Sequence, residues 1–356
     1  MPAEEIDMSL PIWRSAAVSA ALCVSISVLI AGCGSPTTSS NSDDRDVTLI
    51  THDSFPSKEF AKAASKATGY RVHAVTAGDG GELTNKLVLT QSAPVADAFY
   101  GVDNFFASRI VDEGVVDDYT PKDLPQSAQK AATDGLVPVD RGAVCLNIDT
   151  KWFDDHDLPE PKSYEDLTAP KYKGLSVLLD PASSSTGMAF LVGTVSKFGE
   201  NGFAKYWKDL VANDAKIENG WTEAYNGQFT QGGGDGSYPI VVSYDSSPAW
   251  TLSENGKETT TKALLKTCTS QVEYAGVLQG AKNSKGAQAV LDYLVSREFQ
   301  DTIAGTMYMN PIDGDADVPP EWSKFVESPA DLNDLPVKTV GDKRDAWLKT
   351  WDTAVQ

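Results

Sequence analysis

From Val47 onward the chain alternates short apolar strands with helix-length stretches, and that order restricts the folds open to it. Val47-Thr48-Leu49-Ile50-Thr51 is a strand, and Lys58 to Ala67 is a helical stretch opened by Ser57 and closed by Gly69. Tyr70 to Val75 is a second strand, residues 81 to 91 carry Leu83, Leu87 and Leu89 at roughly helical spacing, and Ala96 to Tyr100 is a third strand. Strand-helix-strand order of this kind predicts an α/β fold with a parallel sheet and helices on its faces.

The pattern changes at Val137 to Ile148, a long extended run that suits a strand leaving one lobe for another. A second α/β set follows, with strands at Leu175 to Leu179 and Tyr238 to Ser243 and helices at Ser185 to Phe198 and Phe203 to Val211. Val272 to Leu278 reads as a strand returning to the first lobe, and Ala346 to Val355 as an amphipathic terminal helix. Two lobes joined by crossing strands make a cleft, a favoured place for a ligand. The expected division is 46–138 with about 272–315 for lobe 1, and 139–271 with about 316–356 for lobe 2.

The first 32 residues read as an export signal. Arg14 precedes an uncharged apolar run from Ala16 to Ile30, too short for a spanning helix of about 20 apolar residues. It ends in Ile30-Ala31-Gly32-Cys33, which resembles a lipobox, so Cys33 is the expected lipidation site. Residues 33–45 then form a polar tether rich in Ser and Thr. The expected location is outside the cytoplasm, with a lipid anchor in the cell membrane.

Taking residues 1–32 from a chain of 356 leaves 324, a length that suits two domains. The full chain carries −20, and the leader holds Glu4, Glu5, Asp7 and Arg14, so the remainder carries −18. So acidic a surface repels nucleic acid. Cys145 and Cys268 are the cysteines left in the body, and outside the cytoplasm they can pair or stay free. His52, His73 and His156 show no metal-ligand spacing with either cysteine, and no nucleophile elbow or phosphate-binding loop is present, so neither metal nor cofactor is expected.

Four segments put polar or aromatic residues just after predicted strands, the edge where open α/β sheets take ligands. They are Asp53-Ser54-Phe55, Asp79-Gly80-Gly81, the run Asp180 to Gly187 with Ser184 and Ser185, and Tyr244-Asp245-Ser246-Ser247-Pro248. Hydroxyls and free amides at a helix start form an anion site, although the same serines also serve as ordinary caps. Trp221, Trp250 and Tyr308 lie in loops. Aromatic faces beside carboxylates suit a flat cationic ring.

In their order and spacing these segments resemble the periplasmic thiamine-binding family of bacterial thiamine ABC importers, over nearly all of residues 46 to 356. Carrying the resemblance are Thr51-His52-Asp53-Ser54-Phe55, Asp79-Gly80 with Asn85-Lys86-Leu87, Gly101-Val102-Asp103-Asn104 and Val137-Pro138-Val139-Asp140. Asp180-Pro181, Gly220-Trp221-Thr222-Glu223-Ala224-Tyr225, Ser243 to Ala249 and Arg344-Asp345-Ala346-Trp347 complete it. The resemblance implies a type II periplasmic-binding-protein fold, two-lobed, holding thiamine or its phosphates in the cleft and delivering them to a permease. A monomer is expected.

At matching positions, Asp79 and Gly80 would contact the ligand, Ser184 and Ser185 would hold a phosphate, and Trp221 with the run from Tyr244 to Ser247 would line the pocket. The family often has Tyr at position 52, Tyr at 250 and Trp near 308; His52, Trp250 and Tyr308 keep a flat ring in each place. Asp245 adds a carboxylate where the family tends to have a hydroxyl, which favours free thiamine over its diphosphate. Within the fold a polyamine, ferric iron or a phosphonate is the alternative ligand. A thiaminase-like enzyme would need a reactive cysteine in the cleft. Cys145 and Cys268 instead read as structural, so a binding protein and no enzyme is expected.

Overall fold

A computed structural model describes residues 45–356, so the leader and the lipidation site Cys33 lie outside the described residues. The chain opens with β1 (Asp46–Thr51), α1 (Ser57–Thr68), β2 (Arg71–Thr76), α2 (Gly80–Leu89), β3 (Ala98–Asp103), α3 (Ala107–Asp112) and β4 (Val116–Asp117). Next come β5 (Val137–Asp149), α4 (Thr150–Asp155), β6 (Ser176–Leu179), α5 (Ser185–Phe198), α6 (Phe203–Ala212), β7 (Lys216–Glu218) and β8 (Ile240–Tyr244). The last are β9 (Thr261–Leu278), α7 (Ser284–Leu294), α8 (Arg297–Met307), β10 (Asn310–Pro311), α9 (Pro320–Phe325) and α10 (Val337–Val355).

All strands belong to one sheet with the order β2-β1-β3-β9-β5-β8-β6-β7, in which β10 pairs with β5 and β4 with β9. β1 pairs in parallel with β2 and β3, and β6 pairs in parallel with β7 and β8. Between these two sets runs the antiparallel pair β5–β9. It pairs from Val137 opposite Ala275 to Asp149 opposite Thr261. β3 joins the far end of β9, while β8 joins the far end of β5. The two long strands therefore belong to both lobes, and the lobes meet where they cross.

Local chemistry explains most of the boundaries. α1 ends because Gly69 takes a left-handed φ of 75° and donates its N–H to the Ser65 carbonyl. α5 starts at Ser184, whose hydroxyl accepts from the Gly187 N–H, and is buried on nearly every face. A Cβ on Gly193 would come within 2.3 Å of the Tyr164 hydroxyl, so only glycine allows this close packing. β9 begins at Thr261, well before the expected Val272; Lys262 and Lys266 interrupt the apolar pattern that would mark its first half. α7 and α8 were not expected, and α10 starts at Val337 where only Ala346 onward was legible.

Cys145 and Cys268 form a disulfide that ties β5 to β9. α10 touches both lobes. Its Arg344 Nη1 donates to the Phe105 carbonyl, and Trp351 packs edge-on against Trp207 with ring centres 5.7 Å apart. No helix among the described residues is long and apolar enough to cross a membrane.

Candidate functional site

A cavity of about 260 Å³ opens between the lobes at the crossing strands. His52, Asp53 and Ser54 reach it from the turn after β1, Trp221, Thr222 and Asn226 from the segment before β8, and Tyr244 from the end of β8. Glu273 enters from β9, and Thr306 to Met309 close it from the end of α8. Among the described residues no Lys or Arg lines it.

One wall is aromatic. Thr222–Gln228 winds as a π-helical turn, which lays the Tyr225 ring on Trp221 at 4.8 Å and 11°. Tyr308 meets Trp221 edge-on at 5.5 Å and leans on Trp250 at 4.9 Å. Trp221 Nε1 donates to Ser243 Oγ at 2.9 Å, and Ser243 bonds Ser247 at 2.8 Å. Ser247 Oγ in turn accepts the Tyr244 N–H. Tyr308 has a φ of 60°, an uncommon backbone for a bulky residue, and the Ser246 hydroxyl donates to its carbonyl. Ser246 and Ser247 thus brace the wall from behind.

The floor is acidic. Asp140 on β5 and Glu273 on β9 are register partners, both buried. The Tyr100 hydroxyl donates to Asp140 Oδ2 and lies 3.1 Å from Glu273 Oε2. His52 Nε2 is 3.7 Å from the same Glu273 oxygen, and Gln271 donates to the other. Burial, and then the charge of Glu273, push Asp140 well above the usual carboxylate range. Nearby Asp103 is raised to about 7 by burial, against the opposing pull of the Ser185 hydroxyl. Asp53 at the rim is raised by partial burial and by the charge of Asp79.

A polar seam closes the lobes beside the wall. Asp79 caps α2 and also accepts from the other lobe, from the Ser185 N–H at 3.2 Å and the Trp221 N–H at 2.9 Å. The Gly81 and Glu82 amides donate to the Ser183 carbonyl. A Cβ on Gly80 would sit 2.0 Å from Ser185 Oγ, and one on Gly81 2.5 Å from the Ala182 carbonyl. The double glycine is what lets α2 come this close.

Of the residues singled out from sequence, Asp53, Trp221, Tyr244 and Tyr308 line the cavity. Asp79, Gly80 and Ser185 form the seam, where the Asp79 carboxylate fills the anion position at the start of α5. Ser184 spends its hydroxyl on the helix cap. Two residues lie elsewhere. Asp245 turns away from Tyr244 by strand alternation, accepts the Ala143 N–H and lines a second cavity with Lys262 and Glu327. Asp245 therefore sets no carboxylate against a phosphate in the main cavity. Trp250 faces a third cavity and reaches the main one only through Tyr308.

Sequence reasoning did not single out Glu273, Asp140, Tyr100, Tyr225 or Asn226 as site residues. Glu273 stood within the expected strand Val272 to Leu278, where a carboxylate amid apolar neighbours was the available signal.

Residues 93–331 match the family of bacterial extracellular solute-binding proteins. The chain belongs to that family. A relative, the thiamine-binding periplasmic protein of Salmonella typhimurium, is 27% identical over 87% of this chain and 93% of its own. A solved periplasmic thiamin binding protein superposes with a TM-score of 0.75 at 25% identity, covering 87% of this chain and 96% of its own. The periplasmic binding protein AfuA of Actinobacillus pleuropneumoniae, with fructose-6-phosphate bound, gives 0.73 at 18% identity over 87% and 98%, a likeness of fold alone. The fold is thus the two-lobed type II periplasmic-binding-protein fold, in a family of extracellular solute-binding proteins.

Proposed function

We propose that this solute-binding protein captures thiamine in the cleft and delivers it to an ABC permease. The observation that carries the reading is a cavity with stacked aromatics on one side, buried carboxyls beneath and no Lys or Arg in its lining. A thiazolium is a flat permanent cation, and such a ring gains from both features. The thiamine-binding names of the relatives point the same way. Cys145 and Cys268, the cysteines among the described residues, are bonded to each other and so are not free nucleophiles, which supports binding without catalysis.

Export with a lipid on Cys33 would keep the receptor near its permease. Lobe closure about β5 and β9 would present the loaded form. Lobe 1 as 46–138 with about 272–315 and lobe 2 as 139–271 with about 316–356 put the hinge at the crossing. The protein acts as a monomer in this reading.

Residues 34–356 are expected to bind thiamine one to one with quenching of Trp fluorescence. No heat and no quench at roughly 50 μM thiamine would overturn the reading, since that limit leaves under about 6 kcal/mol of binding energy. Titrating the mono- and diphosphates in parallel fixes the ester preference, and spermidine competition separates thiamine from polyamine binding. Thiamine recovered intact after long incubation excludes a thiaminase. Cys33→Ser should release the protein from the membrane fraction.

A further inference from the structure

Asp140 and Glu273 face each other directly across an antiparallel pair, where like charges repel. Both are buried, and no Lys or Arg pairs with either among the described residues. Tyr100 from β3 lies against both carboxyls, yet its hydroxyl has one proton to donate, and that goes to Asp140. Asp140 Oδ1 is left without a partner. From the turn after β1 comes His52, from β9 Gln271, from β8 Tyr244 and from β3 Asp103, and none brings a fixed positive charge. Two ionised carboxylates cannot share such a place without a cation.

We propose that Asp140 and Glu273 hold one proton between them in the ligand-free site, and that they release it to solvent when a cationic ligand seats against Glu273. The inference rests on the thiamine reading, in which the ligand carries a permanent positive charge. The charges balance. The pair passes from one negative charge to two as one O–H bond breaks, the ligand brings one positive charge, and the buried net charge stays at one negative. The high proton affinity of Asp140 in the ligand-free site acts in the same direction.

Calorimetry of thiamine binding near neutral pH, in two buffers of different ionisation enthalpy, should report about one proton released per ligand. Asp140→Asn should still bind, with the release abolished, because the amide removes the shared proton but leaves the Glu273 charge. Glu273→Gln should weaken binding by about tenfold or more. Tight wild-type binding with no proton released overturns the inference while leaving the thiamine reading in place. If thiamine fails to bind at all, that reading falls, and the pair is judged by a carboxyl carbon-13 NMR titration of the ligand-free protein. One of the two carboxyls still protonated above about pH 6 supports the shared proton, and both ionised at about pH 5 overturns it.

Discussion

The wall and the floor of the cleft hold their side chains by different means. The wall is a stack: Trp221 lies on Tyr225, Tyr308 abuts both, and a chain of serine hydroxyls ties the indole N–H to the backbone. Each contact there is favourable with the site empty. The floor is a conflict between Asp140 and Glu273 that a proton relieves when no ligand is present. A preformed wall supplies shape, and a frustrated floor supplies a demand for positive charge.

The largest expected effect tests the wall. Trp221→Ala removes a buried ring and should lower stability by about 3–5 kcal/mol and abolish measurable thiamine binding, read by denaturant melts and calorimetry. Retained binding would mean that the floor alone recognises the ligand. Changing Cys145 and Cys268 together to Ser probes a point away from both. It should cost about 2–4 kcal/mol of stability with thiamine affinity unchanged, since the bridge joins positions 123 apart in the chain and neither cysteine lines the cavity. A large loss of affinity would show that the crossing strands transmit strain to the floor.

Buried carboxyls, one beside the floor and one away from the cleft, leave their mark on the pH dependence. Burial raises Asp103 to about 7 and Asp245 to about 6, so as pH falls from about 8 to 5 the folded state takes up protons before the unfolded chain does. These groups therefore stabilise the fold toward acid, and that stability is lost as pH rises through about 6 to 7. The melting temperature should climb as pH falls from about 8 to 5. Asp103→Asn keeps the acceptor that the Phe105 and Phe106 amides use, and should gain about 2–4 kcal/mol at about pH 8, vanishing toward pH 4. The smallest effect is expected for Trp250→Ala. That ring is 37% exposed and meets the wall through Tyr308 alone, so affinity should fall by less than about fivefold.

Part of the wall was visible before the structure, though Tyr225 was not. Trp221 and Tyr308 stand out as large aromatics in loops and Tyr244 by its place at the end of a strand, and the first three strands with the two helices between them follow from local periodicity. Tyr244 and Asp245 show the limit of that method. They adjoin in sequence, yet one enters the cleft and the other a separate cavity, because successive strand residues point to opposite faces. The serine run shows it too, since a ligand's phosphate and the chain's own Asp79 are alike to the amides at the start of α5.

What the sequence determined by itself is local: the alternation of strands and helices, the caps at Gly69 and Ser184, and the crossing segment from Val137. Those features depend on neighbours a few residues apart. Tertiary structure alone decided the disulfide, the Asp79 seam and the facing of Asp140 with Glu273. Each joins residues more than a hundred positions apart in the chain, and only the register of β5 against β9 and the closure of the lobes bring them within bonding distance.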